Sequence, residues 1–299
     1  MKDGDLRDEL LRIIPQADIR CGDDPGNLDE IEMLAVSNYY RGEALRYPNL
    51  KLIQKTGAGV ESVMADDLLP DSIQVARLSS ATPGQEIAEY SLACVLQEQR
   101  HLRLYREYQS RSLWQAQVPR RASKTSVAVL GLGRIGALCA RKFVDSDFHV
   151  LGWSRSKKSL PGIECYFGDE QLPTVLGEAD YVVCVLPSTP DTTRLFNRDS
   201  FQWMKPGSVI INVGRGTLIN EEDLIQALDN GLLATAILDV MQIEPLPPES
   251  PLWQHPGVVL TPHVSGWHLG DSIEDIAENL SRLETGKPII NLVDREIGY

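Results

Sequence analysis

Hydrophobic and polar positions follow two different periods along this chain, and their alternation predicts its elements. Apolar residues recur at helical spacing over residues 6–14, and short strand-like runs follow, separated by turn residues. From residue 127 onward, strand-like runs alternate with helical stretches such as 221–229 and 271–284. This order predicts an α/β fold of parallel sheets, doubly wound in the middle of the chain. The predicted strands are residues 31–36, 50–54, 73–78, 127–130, 149–153, 181–186, 208–213, 234–238 and 258–260.

One of the helical stretches is unusually long. Apolar residues continue at helical spacing over residues 86–108, with Ala88, Leu92 and Val95 in the stripe. We therefore predict a single helix there that could join two domains, followed by a polar, basic segment at 111–124. The length of 299 residues also suggests two domains, at about 150 residues each.

Charge and apolar content exclude several classes of protein. Lys and Arg number 29 against 42 Asp and Glu, so the net charge of −13 repels nucleic acid and anionic membrane surfaces. The longest apolar run, residues 181–186, is far shorter than the roughly 18 residues that span a bilayer, and the start of the chain lacks an apolar signal core. Five scattered cysteines without a CxxC pair predict reduced thiols and no metal site. We therefore expect a cytoplasmic protein that binds neither nucleic acid nor membrane.

A glycine-rich turn lies between the predicted strand 127–130 and the next helix. Gly131, Gly133 and Gly136 form the pattern GxGxxG there. In a strand-turn-helix unit the first glycine permits the tight turn, the second lets the backbone approach a pyrophosphate, and the third lets helix and strand pack closely. The helix N-terminus adds N–H groups and a positive dipole. The pattern predicts a dinucleotide site, against the plainer alternative that three glycines only form a turn.

The end of the next strand decides which dinucleotide fits. An acid about twenty residues after the glycines would hold the ribose 2′-hydroxyl of NAD, but Ser154 stands there. Arg155, Ser156, Lys157 and Lys158 follow it, with donors and positive charge suited to a 2′-phosphate. We predict NADP as the cofactor, with NADPH preferred over NADH. The alternative is a solvated basic loop.

Three polar residues follow strand ends in the second half of the chain. Arg215, Glu244 and His263 come after predicted strands, and such strand ends face the ligand crevice of an open α/β sheet. An arginine grips a carboxylate, a histidine passes a proton to or from an oxygen, and a carboxylate beside the histidine orients it. These groups suffice to reduce a 2-keto acid, although each residue alone also fits a surface ion pair or a structural role.

Several motifs resemble the D-isomer-specific 2-hydroxyacid dehydrogenases over nearly the whole chain. They read GLGRIG, LPSTPDTT, INVGRGTLINEEDL, ILDV, EPLPPESPLW and TPHVSG. Three segments, PLPPESPLWQHP, WSRSKK and the terminal VDREIGY, most resemble the glyoxylate/hydroxypyruvate reductase A branch. Members of that branch prefer NADPH. The resemblance implies hydride transfer from a nicotinamide to the keto carbon of a small 2-keto acid, with a D-2-hydroxy acid as the product.

The resemblance also implies roles for single residues. His263 would protonate the keto oxygen, Arg215 would bind the carboxylate and the carbonyl oxygen, Glu244 would pair with His263, and Asp239 would help to fix the nicotinamide end. Lys55 either adds a cation to the substrate pocket or faces solvent. The implied substrate-binding residues are Lys55, Ala58, Gly59, Val60, Arg215 and His263. The implied cofactor-binding residues are Gly131, Gly133, Arg134, Ile135, Gly136, Ser154, Arg155, Ser156, Lys157, Leu186, Pro187, Thr192, Val213, Gly214, Asp239 and His263.

The family's architecture implies two Rossmann-like domains with doubly wound parallel sheets. The smaller substrate domain, residues 1–92 and 268–299, would be flavodoxin-like and built from both chain ends, and residues 93–267 would form the NAD(P)-binding domain. The family also implies a homodimer through the nucleotide domain, with the long helix region from Glu86 and residues 111–124 near the interface.

Two departures from the family pattern qualify this expectation. The family starts with an apolar strand before its first helix, whereas this sequence enters the helix directly, so either the start is truncated or the small domain is rearranged. The segment SNYY at 37–40 replaces a tryptophan-bearing segment of the glyoxylate-reducing branch. We therefore keep a somewhat larger keto acid than glyoxylate open as the substrate.

Two other functions share the glycine-rich turn. A dinucleotide-sensing protein of the same fold would bind NADPH without physiological turnover, and replacing His263 by alanine would then leave its biological effect intact. A methyltransferase would carry an acid after the second strand of the nucleotide domain, and Ser154 argues against that class.

Overall fold

The chain folds into two compact units whose boundaries lie near residues 82 and 267. The computed structural model describes residues 3–57, 59–78, 82–268 and 272–295. The small unit combines Met1–Thr82 with His268–Tyr299, and the large unit is Pro83–Trp267. The predicted α/β fold, with a small domain built from both chain ends, is confirmed.

The small unit contains a parallel sheet that packs against helices. Its strands are β1 (Met33–Val36), β2 (Leu52–Lys55) and β3 (Gln74–Ala76), which pair in that order. Its helices are α1 (Asp3–Ile13), α2 (Glu61–Met64) and α9 (Ser272–Thr285). The central strand β2 is buried along its whole length, as expected for a strand covered on both faces. On α9, the buried Asn279 donates its amide to Gln54 Oε1 at 2.7 Å, which ties the C-terminal segment to β2.

The large unit is a doubly wound sheet with helices on its faces. Its strands are β4 (Ser126–Leu130), β5 (His149–Ser154), β6 (Ile163–Phe167), β7 (Tyr181–Cys184), β8 (Ser208–Asn212), β9 (Leu233–Leu238) and β10 (Val258–Leu260). Its helices are α3 (Thr82–Gln99), α4 (Leu102–Ser110), α5 (Arg134–Asp145), α6 (Leu172–Glu178), α7 (Arg198–Trp203) and α8 (Glu221–Asp229). All strand pairs in it are parallel, in the order β10-β9-β8-β7-β4-β5-β6. The reversal of strand order lies between β4 and β7, where such sheets open a crevice at their carboxyl edge.

The long helix predicted over residues 86–108 is wrong as a single element. Helix α3 ends at Gln99 and α4 starts at Leu102, because His101 adopts a left-handed backbone with φ of 57°. No glycine or proline marks this break in the sequence, so the apolar periodicity gave no warning of it.

The first unit boundary also falls earlier than the predicted one at residue 92. Helix α3 packs in the core of the large unit, where Ala88 and Val95 belong to the same apolar cluster as Val127 and Phe143. The helix therefore belongs to the large unit from near its start and is not shared between the two.

Two of the cysteines illustrate how the core is filled. Cys139 and Cys184 have no exposed surface, and burial raises the pKa of each thiol to about 12. They pack as small apolar residues, as their sequence context predicts. None of the helices within the described ranges is long and apolar enough to cross a bilayer.

Candidate active site

The glycine-rich turn connects β4 to α5, and its three glycines serve different purposes. Gly131 has φ of 102°, and a Cβ there would lie 2.8 Å from the Val185 carbonyl oxygen. A Cβ on Gly136 would lie 1.7 Å from the Gly131 carbonyl oxygen. These two positions are closed to any side chain by the fold itself.

Gly133 is different because nothing in the described chain requires a glycine there. It caps the N-terminus of α5 with φ of −73°, and a Cβ would meet no atom within 4 Å. Open space therefore lies directly against the backbone at the N-terminus of a twelve-residue helix. A phosphate group would be favoured here by the free N–H groups of the first turn and by the helix dipole.

The end of β5 carries no carboxylate and is followed by exposed cations. Ser154 is buried, and its hydroxyl donates to the Ser156 carbonyl oxygen at 2.8 Å, which shapes the turn after the strand. Arg155, Lys157 and Lys158 are exposed. The loop thus offers positive charge to an anionic group at the carboxyl edge of the sheet.

The loops after β7 and β8 pack tightly against each other at the same edge. A Cβ on Gly214 would lie 2.7 Å from the Leu186 carbonyl oxygen, and Val213 is buried beside it. Thr192 donates its hydroxyl to the Pro187 carbonyl oxygen at 2.7 Å, which closes the LPSTPDTT turn. The predicted cofactor residues of both loops therefore lie on the crevice side of the sheet.

Arg215 is held by a neighbour that the sequence alone did not single out. The buried Asn212 donates its amide to the Arg215 carbonyl oxygen at 2.9 Å and accepts the Gly214 N–H at 3.1 Å. Gly216 approaches Met241 so closely that a Cβ would lie 1.9 Å from its carbonyl carbon. The half-buried Arg215 donates Nη1 to the Gly214 carbonyl oxygen at 2.6 Å, which directs the guanidinium.

Glu244 and His263, nineteen residues apart in sequence, are in direct contact. The Nδ1 atom of His263 lies 2.8 Å from Oε2 of Glu244, and Oε1 of Glu244 accepts the Met241 N–H at 2.9 Å. About half of the histidine side chain is exposed, at 51%. With a carboxylate at Nδ1, the tautomer places a proton on that atom, and Nε2 is the nitrogen that can meet a ligand.

Asp239 supports the loop that carries His263. Its carboxylate has no exposed surface and accepts the Thr261 hydroxyl at 2.6 Å and the backbone N–H groups of Val264 and Ser265, both at 2.9 Å. The His263 N–H donates to the Asp239 carbonyl oxygen at 2.9 Å. Every charged oxygen of Asp239 is therefore engaged by this loop. Thr261 had not been identified from the sequence; its position two residues before the histidine was the available signal.

The predicted substrate residues of the TGAGVES segment belong to the small unit. Lys55 ends β2, is buried, and donates its ammonium to the Ser37 carbonyl oxygen at the end of β1. The alternative prediction, that Lys55 faces solvent, is therefore wrong. Gly59 is half-buried, Val60 is buried at the start of α2, and Ala58 lies outside the described residues.

Comparison with known proteins identifies a family and several solved structures to which this chain is similar. The family profile described as "D-isomer specific 2-hydroxyacid dehydrogenase, NAD binding domain" matches residues 92–265. A similar solved structure is a D-isomer specific 2-hydroxyacid dehydrogenase from Xanthobacter autotrophicus in complex with NADPH and MES, with 38% identity and a TM-score of 0.92. The similarity covers 100% of this chain and 96% of that one.

Two further solved structures are similar over nearly their whole length. The NADPH-dependent glyoxylate/hydroxypyruvate reductase from Sinorhizobium meliloti, in complex with NADP and sulfate, is 31% identical with a TM-score of 0.92, over 100% of this chain and 97% of that one. A probable 2-hydroxyacid dehydrogenase from Rhizobium etli, in complex with NADP, HEPES and L(+)-tartaric acid, is 29% identical with a TM-score of 0.86, over 99% and 96%.

Proposed function

The chain belongs to the D-isomer-specific 2-hydroxyacid dehydrogenase family, and from this premise we propose that it reduces small 2-keto acids to D-2-hydroxy acids with NADPH. The contact between Glu244 and His263 at 2.8 Å is the observation that carries the proposal. It supplies a positioned proton donor at the carboxyl edge of a nucleotide-binding sheet. The Sinorhizobium meliloti relative, named as a glyoxylate/hydroxypyruvate reductase, supports this substrate class.

The residues present fit a nicotinamide dinucleotide. The open space at Gly133 lies against a helix N-terminus, which suits a pyrophosphate. Arg155 and Lys157 stand exposed after Ser154, where they can pair with a 2′-phosphate, and this supports NADP over NAD. When bound, such a cofactor supplies a hydride to the carbon that is reduced.

The reaction on the protein side is a proton transfer to the keto oxygen. As the keto carbon gains a hydride, the electron pair of the C=O π bond moves to oxygen, and Nε2 of a protonated His263 gives that oxygen a proton. The carboxylate of Glu244 stabilises the charged imidazole before the transfer and keeps its ring oriented. The result is a hydroxyl group on a carbon that carries one new hydrogen.

Arg215 supplies the grip on the substrate carboxylate. Its guanidinium is half-buried and directed by the Gly214 carbonyl oxygen, so little side-chain freedom is left to lose on binding. A bidentate pair with a carboxylate would also fix which face of the keto carbon is presented. The substrate-binding roles of Lys55, Gly59 and Val60 stay predictions, as do the cytoplasmic location and the identity of the keto acid.

We also propose that the protein forms a homodimer through the segment after α4. Trp114 is fully exposed and Val118 is 92% exposed, and both follow the exposed Leu113 in a stretch of the large unit without helix or strand. Large apolar side chains in such a row usually mark a protein interface. The resemblance to the family implies an interface at residues 111–124, and these exposed side chains lie within that range.

The test of the proposed chemistry replaces the proton donor. We expect His263→Gln to lower kcat by about two to four powers of ten, the usual range for loss of a general acid, while NADPH still binds. His149→Gln is the matched control, because His149 also pairs with a glutamate, but it lies at the start of β5, away from the carboxyl edge of the sheet, and its partner Glu164 is on β6. Steady-state NADPH oxidation with a 2-keto acid measures the rate. Equal turnover by His263→Gln and the wild type would refute the assigned role.

A further inference from the structure

A partly buried chain of hydrogen bonds runs from helix α3 to the loop that carries His263. The phenol oxygen of Tyr90, on α3, lies 2.6 Å from the Thr261 hydroxyl oxygen. The Thr261 hydroxyl in turn lies 2.6 Å from Oδ1 of Asp239. Tyr90 and Thr261 are 171 residues apart in sequence, so no local motif predicts the contact.

The direction of the protons in this chain follows from the chemistry of its members. An ionised carboxylate only accepts, so Thr261 gives its single hydroxyl proton to Asp239. The Thr261 oxygen must then accept from Tyr90, whose phenol is therefore the donor. Burial raises the pKa of Tyr90 above its ordinary value, which keeps the phenol protonated for this purpose. Donors aligned in one direction polarise and strengthen each other.

The backbone of His263 depends on this support. His263 has φ of 54°, a left-handed conformation that costs free energy for any residue with a side chain. Three backbone N–H groups hold the turn, those of His263, Val264 and Ser265, and all of them donate to oxygens of Asp239. The rotamer and position of Asp239 thus set the place of the imidazole.

The same helix contacts the loop again farther along. The carboxylate of Glu86 accepts the Trp267 N–H at 2.7 Å. At Gly266, a Cβ would lie 3.2 Å from the Pro83 carbonyl oxygen and 3.0 Å from Ile87, so the loop backbone runs close against α3. Helix α3 therefore contacts the loop that carries His263 near both ends of the loop, at Thr261 and at Trp267.

We propose that Tyr90 is a positioning residue for His263, acting through Thr261 and Asp239. The phenol orders the Thr261 hydroxyl, the hydroxyl holds the carboxylate of Asp239, and the carboxylate holds the strained turn that aims the imidazole. Tyr90 touches neither substrate nor cofactor in this role. The expected effect of Tyr90 on rate rests on the proposed function. The chain of hydrogen bonds is observed independently of that function.

The first test removes single hydroxyl groups. We expect Tyr90→Phe to lower kcat about tenfold, the effect of one lost hydrogen bond, with KM for the keto acid and Kd for NADPH within about twofold of wild type. Thr261→Val should lower kcat at least as much, whereas Thr261→Ser, which keeps the hydroxyl, should restore most of it. The double variant Tyr90→Phe with Thr261→Val should be no slower than the slower single variant, because both break one chain.

Tyr166→Phe is the matched control for the loss of a phenol. The Tyr166 hydroxyl donates to Glu164 at 2.7 Å on β6, away from the histidine loop. It should leave kcat unchanged. If Tyr90→Phe also leaves kcat within about twofold of wild type, the positioning role is refuted while the proposed function stands. Should Tyr90→Phe not fold, Thr261→Val and Thr261→Ser provide the test instead. If Thr261→Val keeps kcat within about twofold of wild type, the chain through which Tyr90 is proposed to act is refuted.

A second measurement does not depend on turnover. The chain has five histidines, and His263→Gln identifies the imidazole signals of His263 in nuclear magnetic resonance spectra. We expect the chemical shifts of these signals to change in Tyr90→Phe and Thr261→Val but not in Tyr166→Phe. If the wild type reduces no keto acid, the proposed function is refuted, and unshifted signals in both variants would then refute the positioning role as well.

Discussion

Ser154 stands at the position where a single residue would decide the proposed choice of cofactor. A carboxylate at the end of β5 would accept hydrogen bonds from a ribose and repel a phosphate, whereas the buried Ser154 only shapes the turn. The cations that follow it are exposed and lie in a chain of net charge −13. Selectivity for NADPH would therefore come from local charge, because the overall field of the protein opposes an anionic cofactor.

Removing two of these cations tests that assignment. We expect Arg155→Ala with Lys157→Ala to reduce the preference for NADPH over NADH, measured as the ratio of kcat/KM, by about 100-fold, because two charge-assisted hydrogen bonds are lost. Arg141→Ala with Lys142→Ala is the matched control. This variant also removes one arginine and one lysine charge, but from α5, where Arg141 pairs with Asp145 and Lys142 with Glu89. An unchanged ratio in the first variant would show that the loop does not select the cofactor.

At the residue scale, the sequence predicts which residues carry the proposed chemistry but not which residues hold them in place. Glu244 and His263 follow successive strand ends, and parallel strands bring such ends to one edge, so their contact could be expected from the sequence. Thr261 had only its position two residues before the histidine as a signal, and Asn212 and Tyr90 had none. Tyr90 and Thr261 act through hydrogen bonds to residues distant in sequence, which no local pattern encodes, whereas Asn212 acts on Gly214 and Arg215 close by.

At the element scale, the turn between β4 and α5 separates a glycine required by the fold from one that is not. Gly136 faces the Gly131 carbonyl oxygen at a distance no Cβ tolerates, whereas Gly133 faces open space. The conformation of Gly133, with φ of −73°, is one that alanine adopts readily. Since no described residue would oppose a side chain at Gly133, a bound ligand is what would do so.

This contrast predicts two different outcomes for the same substitution. We expect Gly136→Ala to destabilise the protein by about 3 kcal/mol or more, because helix and turn must separate. Gly133→Ala should unfold at nearly the wild-type temperature but bind NADPH about tenfold or more weakly, because the methyl group would occupy the place of the pyrophosphate. Thermal unfolding and a fluorescence titration with NADPH measure the two effects. Unimpaired NADPH binding by Gly133→Ala would contradict a pyrophosphate at this turn.

The elements themselves were predictable where local signals agree with tertiary packing. Helix α8 was expected at 221–229 and lies there, since Asn220 caps it by accepting the Glu222 and Asp223 N–H groups. Strand β6 was not expected, because it is a half-exposed edge strand with an irregular apolar pattern. The break at His101 was not predicted, because no glycine or proline stands near this left-handed residue in the sequence.

At the scale of the whole molecule, charge and exposed apolar surface point to different kinds of partner. The acidic surface opposes polyanions, while single cations such as Arg215 and Arg155 can still capture small anions at short range. Exposed apolar side chains gather in the segment after α4, which contains Leu113, Trp114 and Val118. A second copy of the chain is the partner that the family architecture implies for this segment.

Breaking the proposed dimer tests that partner. We expect the wild type to have the mass of a dimer by analytical ultracentrifugation, and Trp114→Glu with Val118→Glu to have the mass of a monomer, because burying two carboxylates in an apolar interface is unfavourable. Trp203→Glu is the control, since Trp203 is also partly exposed but lies at the end of α7, outside the segment. A monomeric wild type, or a dimer that survives both glutamates, would contradict the assignment.

The central claim is that the molecule reduces 2-keto acids with NADPH, and initial rates of cofactor oxidation test it most directly. The wild type would be given NADPH or NADH with a panel of keto acids that includes glyoxylate, hydroxypyruvate and larger homologues. We expect the nicotinamide absorbance to fall with at least one of them, faster with NADPH than with NADH, and the product to be the D-isomer where the product is chiral. If NADPH binds but its absorbance falls with none of the keto acids, the account is wrong.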